Sequence, residues 1–88
     1  MNLQTLYSAL REIGISDQVL ALGGRAEMCW CIEQNAEGSW EVFWLERGNR
    51  IGRIVLESEA AACNQLLGQL TYSQLLAGKI RYVGNSAD

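Results

Sequence analysis

The chain contains no histidine, which removes the commonest general base, the usual imidazole metal ligand and most nucleophilic triads. Proline is absent as well. With no internal repeat or low-complexity stretch either, nothing marks a linker or a second unit. No apolar run approaches the ~20 residues needed to cross a bilayer. The N-terminus opens on an amphipathic stretch, not on a basic region followed by an apolar block and a small-residue cleavage site, so no export signal is read. Cations are the minority: seven Lys and Arg stand against ten Asp and Glu, a net charge of −3. That balance argues against nucleic acid or an anionic membrane as partner, since both need a positive footprint. Even the cysteines fall short of a disulfide framework. Three is an odd number, and without an export signal they read as reduced thiols in the cytosol.

What is present is ordinary globular material, 49% apolar and 19% charged over 88 residues. A chain of this length supports one core and one domain, 1–88, with roughly 4 to 13 kcal/mol of stability. Leu3, Leu6, Leu10 and Ile13 recur at helical spacing behind Asn2 as N-cap and before Gly14 as a stop, predicting a helix over 3–13. Ile15–Leu22 reads as a connection with a short strand, ending at Gly23-Gly24. Three strands follow, at Ala26–Glu33, Ser39–Glu46 and Ile51–Leu56, separated by turns at Asn35–Gly38 and Arg47–Asn49. Ser58 and Glu59 open a helix whose Cys63, Leu66, Leu67 and Leu70 should cover the sheet. Thr71-Tyr72-Ser73-Gln74 has capping-box spacing, predicting a further short helix with Leu75 and Leu76. The fold class expected is α+β: an N-terminal helix, an antiparallel meander of three to four strands, and one C-terminal helix or two short ones on one sheet face. A polar, frayed tail is expected from Gly84.

Chemistry is hard to find. Cys29 and Cys31 point to one face of a strand, and Cys63 is the only other thiol, so these read as structural thiols and no metal is expected. The carboxylates are spread along strands and turns, with no walled cleft for acid and base work. Gly48 and Gly52 match no phosphate-binding fingerprint. No enzyme, no cofactor and no small-molecule ligand is expected.

The uneven feature is charge order. Glu27, Glu33, Glu37, Glu41 and Glu46 occur without an intervening Lys or Arg, and Arg47, Arg50 and Arg53 come directly after. One reading is a polar outer sheet face with cross-strand ion pairs. The other is an interaction surface, because Trp30, Trp40 and Trp44 share the ribbon and charge-ringed aromatics make binding hot spots. At least one of the three tryptophans is expected to be exposed. Arg25, after Gly23-Gly24, is expected at a loop tip.

The layout Leu22-Gly23-Gly24, Glu27, Cys31-Ile32-Glu33, Trp40-Glu41-Val42-Phe43, Glu46-Arg47-Gly48, Ser58-Glu59, Ala62-Cys63 and Leu66-Leu67 resembles small immunity proteins encoded beside bacterial polymorphic toxins. The likeness is to those paired with necrotizing-toxin-type NAD(P) glycohydrolase domains, and it covers roughly residues 3–70. It implies a cytoplasmic inhibitor that forms a one-to-one complex with its toxin and blocks the NAD-binding cleft, the toxin being delivered by type VI or similar contact-dependent secretion. By motif position Glu27, Glu46, Arg47 and Arg25 carry over to the toxin-facing side, with Glu33, Trp40 and Trp44 joining them from the ribbon. A cleft that attracts a dinucleotide is electropositive, so an acidic ribbon would be steered to it. The alternative class is a small acidic secretion chaperone or adaptor for an effector.

Overall fold

The computed structural model describes residues 1–81 and 83; the tail expected from Gly84 lies outside the described residues. Helix α1, Leu3–Glu12, begins with a reciprocal cap: the Asn2 side chain accepts from the Thr5 amide, and the Thr5 hydroxyl accepts from the Asn2 amide. Its Leu6 and Leu10 are fully buried, and Leu3 and Ile13 pack at their margins. A single 3-10 turn, Asp17–Val19, leads into strand β1, Leu20–Leu22.

Strands β2 (Cys29–Gln34), β3 (Trp40–Glu46) and β4 (Asn49–Leu56) complete a four-stranded sheet of order β1-β2-β3-β4. The β2–β3 and β3–β4 pairs are antiparallel hairpins, as the turn residues predict. β1 differs, running parallel to β2 with Leu20 opposite Trp30 and Leu22 opposite Ile32. Parallel neighbours ordinarily need a crossover of a dozen or more residues. Here β1 is so short that residues 23–28 suffice to carry the chain back. That crossover also explains why β2 starts at Cys29 and not at Ala26: Met28 is left-handed at φ 59°, which breaks the extended run.

Helix α2 is one continuous element, Glu59–Leu76, opened by Ser58 accepting from the Ala61 amide. The separate helix expected from Thr71–Gln74 does not form. A capping box starts a helix only where the first-turn amides lack partners, and here they already bond one turn back along the same ladder. The two helices run side by side in the same direction. The Glu59 carboxylate accepts the Leu3 amide at 2.9 Å at one end, and Gln74 Nε2 donates to the Ile13 carbonyl at 2.8 Å at the other.

Both sheet faces carry a core. The helix-covered face joins Ile32 and Val42 to Leu6, Leu10, Ala62, Cys63, Leu66 and Leu70. On the opposite face Cys29, Cys31, Phe43 and Leu45 are buried beside Ala21, with no α1 or α2 residue in the cluster and the Gln18 carbonyl of the 3-10 turn 3.4 Å from the Cys29 thiol. The crossover and long side chains close this side: the Cys31 thiol lies 3.7 Å from the Ala26 carbonyl, and the Arg50 guanidinium sits 5.3 Å over the Phe43 ring.

All three cysteines are free and buried. Burial pushes the Cys31 and Cys63 thiols up from their ordinary range. Since the thiolate is the reacting species, iodoacetamide at pH 8 is expected to leave Cys31 and Cys63 unmodified in the native protein. All three thiols should label once it is unfolded in urea. Intact-mass spectrometry reads the difference, and rapid native labelling of either residue would contradict this packing.

Candidate interaction surface

The open face is organised by Glu41, which is 2% exposed. Its carboxylate accepts from Arg53 Nε and Nη2 at 2.8 and 3.0 Å, from Arg50 Nη1 at 2.9 Å and from Asn35 Nδ2 at 3.0 Å. The Arg53 hydrogen bonds first, then that of Asn35, hold the carboxyl at about 2, well below its usual 4.5. Glu33 extends the network, pairing with Arg25 through both carboxylate oxygens and lying 3.9 Å from Arg50. These cross-strand pairs make the outer sheet face a mutually neutralised lattice.

Arg50 and Arg53 reach one carboxylate because of a backbone irregularity. In a regular strand, residues three apart point to opposite faces. Between the pairs Val42–Ile54 and Trp44–Ile51 the register shifts by one, so Gly52 and Arg53 together oppose Phe43. Gly52, at φ 67°, supplies the left-handed residue such a bulge requires. Both arginines therefore face outward, and Ile51 stays on the helix side opposite Trp44.

The remaining acids of the ribbon are also engaged. Arg47 and Gly48 both have positive φ, as a two-residue I′ hairpin demands. Glu27 reaches across from the crossover to accept both of their amides, at 2.7 and 2.9 Å. Glu46 accepts the Trp44 indole N–H at 2.9 Å. Among the described residues, only Glu37 of the five makes no side-chain hydrogen bond or ion pair. Glu27, Glu33 and Arg25 thus work first as internal braces. Arg47 is exposed at the hairpin tip.

The tryptophans lie on the other face. Trp30, Trp40 and Trp44 are all partly buried and none is exposed, contrary to expectation, because α2 needs bulky side chains beneath it. Trp30 and Trp44 are cross-strand partners and meet edge to face, 5.2 Å between ring centres at 64°. Trp40 sits at the far end of β3, opposite Gln34, away from this pair. α2 leaves the Trp30–Trp44 corner open. There the two indoles, Ile51, Gly52 and Gln69 line a depression of about 440 Å³. Ile51 is half exposed, and Gln69 Oε1 is buried with no hydrogen-bond partner among the described residues. An unsatisfied buried acceptor costs about 1–3 kcal/mol, and this one belongs to a residue that lines the depression.

The structure therefore separates what the ribbon pattern grouped. Trp44 and Glu46 meet at the corner, whereas Arg25, Glu27 and Glu33 belong to the open face and the hairpin end. Gln69 and Ile51 had no sequence signal: a glutamine on a helix and an isoleucine in a strand are commonplace until the fold sets them together. Among the described residues, no three His, Cys, Asp or Glu side chains gather as a metal site, and Cys63 lies on the opposite face of the sheet from Cys29 and Cys31. No helix among the described residues is long and apolar enough to cross a membrane. Comparison with family models, with curated proteins and with solved structures yields no match.

Proposed function

We propose that this chain is a cytoplasmic binding protein that neutralises a bacterial toxin, seating on it through the Trp30–Trp44–Ile51 corner. The observation that carries the reading is that corner: two indoles in contact, with an exposed aliphatic beside them, lining one open depression. Rigid aromatics clustered in a partly desolvated hollow are the composition of a binding hot spot. The toxin, and its NAD(P) glycohydrolase activity, come from the likeness to immunity proteins. The corner supports the contact itself.

Size fits the role. A standard interface uses ~800 Å² per partner, against a total surface of 5692 Å². The hairpins that present the corner are braced internally by Glu27, Glu41 and Glu46, so little ordering is left to be done on binding. Inhibition needs occupancy alone: a protein filling the cleft mouth excludes the dinucleotide.

Co-expression with the toxin encoded beside it tests the proposal. Cells are expected to survive, NAD levels to hold, and the two purified chains to form a one-to-one complex by light scattering. Undiminished killing with this protein in excess would overturn the proposal. Capture of unfolded toxin segments only, with the folded toxin still active, would move the chain to the chaperone class.

A further inference from the structure

We infer that the free edge of β4 takes an extended segment of the partner protein as a fifth strand, apolar toward the helix side and acidic toward the open face. The inference rests on the toxin-binding proposal and deepens it by naming the element of the toxin that makes the contact. The sheet ends on two unlike edges. At one end β1 is three residues long, too short to template a neighbour. At the other, β4 has eight residues and pairs with β3 alone among the described residues. Edge strands are ordinarily blunted by shortness, Pro, Lys or a covering element. β4 carries neither Pro nor Lys, and its first five residues are exposed. The bulge at Gly52 divides this edge into 49–51 and 53–56 without covering it.

The main chain of β4 has groups to offer. Glu46 and Asn49 close the two-residue hairpin as a hydrogen-bonded pair, and the alternation of an antiparallel ladder then turns Trp44, Val42 and Trp40 toward β4. Their partners Ile51, Ile54 and Leu56 face back to β3, while Arg50 and Val55 point their N–H and C=O groups out of the sheet. The side chains define what fits beside them. On the helix side, half-exposed Ile51 borders the Trp30–Trp44 depression, so an apolar residue laid next to it would cover the corner. On the open face, Arg53 commits Nε and Nη2 to Glu41, and Arg50 commits Nη1. Arg53 Nη1 and Arg50 Nε keep donors without a partner among the described residues, and a carboxylate on the incoming strand would meet them. A second copy of this chain fits poorly. β4 contains no acid, so self-pairing would set the arginines of both copies along one strip.

Amide hydrogen exchange of the toxin complex and titration with capped peptides test the inference. In the complex, exchange of the Arg50 and Val55 amides is expected to slow about ten-fold or more relative to the free protein. A peptide of alternating valine and glutamate should bind the free protein with a dissociation constant on the order of millimolar. Its counterpart N-methylated throughout, and a valine–lysine peptide, should bind about ten-fold more weakly or worse. Val55→Pro deletes an outward N–H, a change an edge strand tolerates, and should weaken toxin binding about ten-fold or more. Val55→Thr keeps the N–H and the branched shape and should bind like the native protein. Unchanged exchange at Arg50 and Val55 in a complex that neutralises the toxin would overturn the fifth strand and leave the toxin-binding proposal standing. Equal binding of all three peptides, binding of none, or dimerisation of the free protein through β4 would also overturn it. A protein that ignores the toxin yet binds the valine–glutamate peptide with the same amides slowed would overturn the toxin reading and keep β4 as a strand receptor.

Discussion

Replacing Glu41 with glutamine is expected to cost about 1–3 kcal/mol of stability at pH 7, the largest folding effect of any single polar substitution in the sheet. Gln keeps the shape and removes the charge, leaving Arg50 and Arg53 aimed at a neutral amide. The distance between the usual 4.5 and the folded value of about 2 sets a ceiling of about 3 kcal/mol. The arginine side chains, 33% and 47% exposed, are screened by water and bring the value below that ceiling. The sign of the pH dependence follows from the lowered value. A carboxyl held below its unfolded range contributes fully above pH 4.5, and that contribution disappears as the pH falls from about 4.5 to about 2. Urea denaturation at pH 7 and pH 2.5 should show the native protein well ahead of Glu41→Gln at the first and nearly level with it at the second. Equal midpoints at pH 7 would mean that the carboxylate's desolvation cancels its four hydrogen bonds.

A loss of about 30- to 1000-fold in toxin affinity is expected for Trp44→Ala, corresponding to about 2–4 kcal/mol. Because Trp44 also supports the core, Ile51→Ser supplies a companion that separates binding from folding. That side chain is half exposed, so its removal should leave the urea midpoint nearly unchanged and still weaken the complex about ten-fold or more. The loss should appear mainly as faster dissociation, since stripping a desolvated anchor affects the bound state more than the encounter. Glu37→Lys, on an exposed turn away from the corner, is expected to change the dissociation rate less than three-fold. Surface plasmon resonance with the immobilised toxin reads all three. An unaltered dissociation rate for both corner variants would place the contact elsewhere on the molecule.

The elements were legible wherever side-chain period decides. Trp40, Val42 and Trp44 alternate with Glu41, Phe43 and Leu45, and the sheet places the two sets on opposite faces as that alternation demands. The helix over Leu3–Glu12 and the face of Ala62, Cys63, Leu66 and Leu70 follow from spacing of the same directness. What escaped the sequence depends on backbone states that no composition announces. Met28 in a left-handed conformation delays the predicted strand to Cys29, and the Thr71–Gln74 pattern was neutralised by a helix already under way. The charge order of the ribbon was visible, but its outcome was not: whether Glu27 faces a partner or grips a hairpin depends on a crossover that brings it within reach of residues 47 and 48. At the corner, Trp30 and Trp44 could be read, whereas Gln69, the eleventh residue of helix α2, is a site residue only in three dimensions.

The extra residue at Gly52 has a consequence for the molecule as a machine. One insertion of chain both turns Arg53 toward the acid and leaves Ile51 beside the indoles, so the stabilising side and the contact side are geared together. Paired without the bulge, in unbroken register onward from Ile51, the strand would roll half a turn beyond Gly52, bringing the Arg53 cation onto the helix side and the Ile54 hydrocarbon onto the charged lattice.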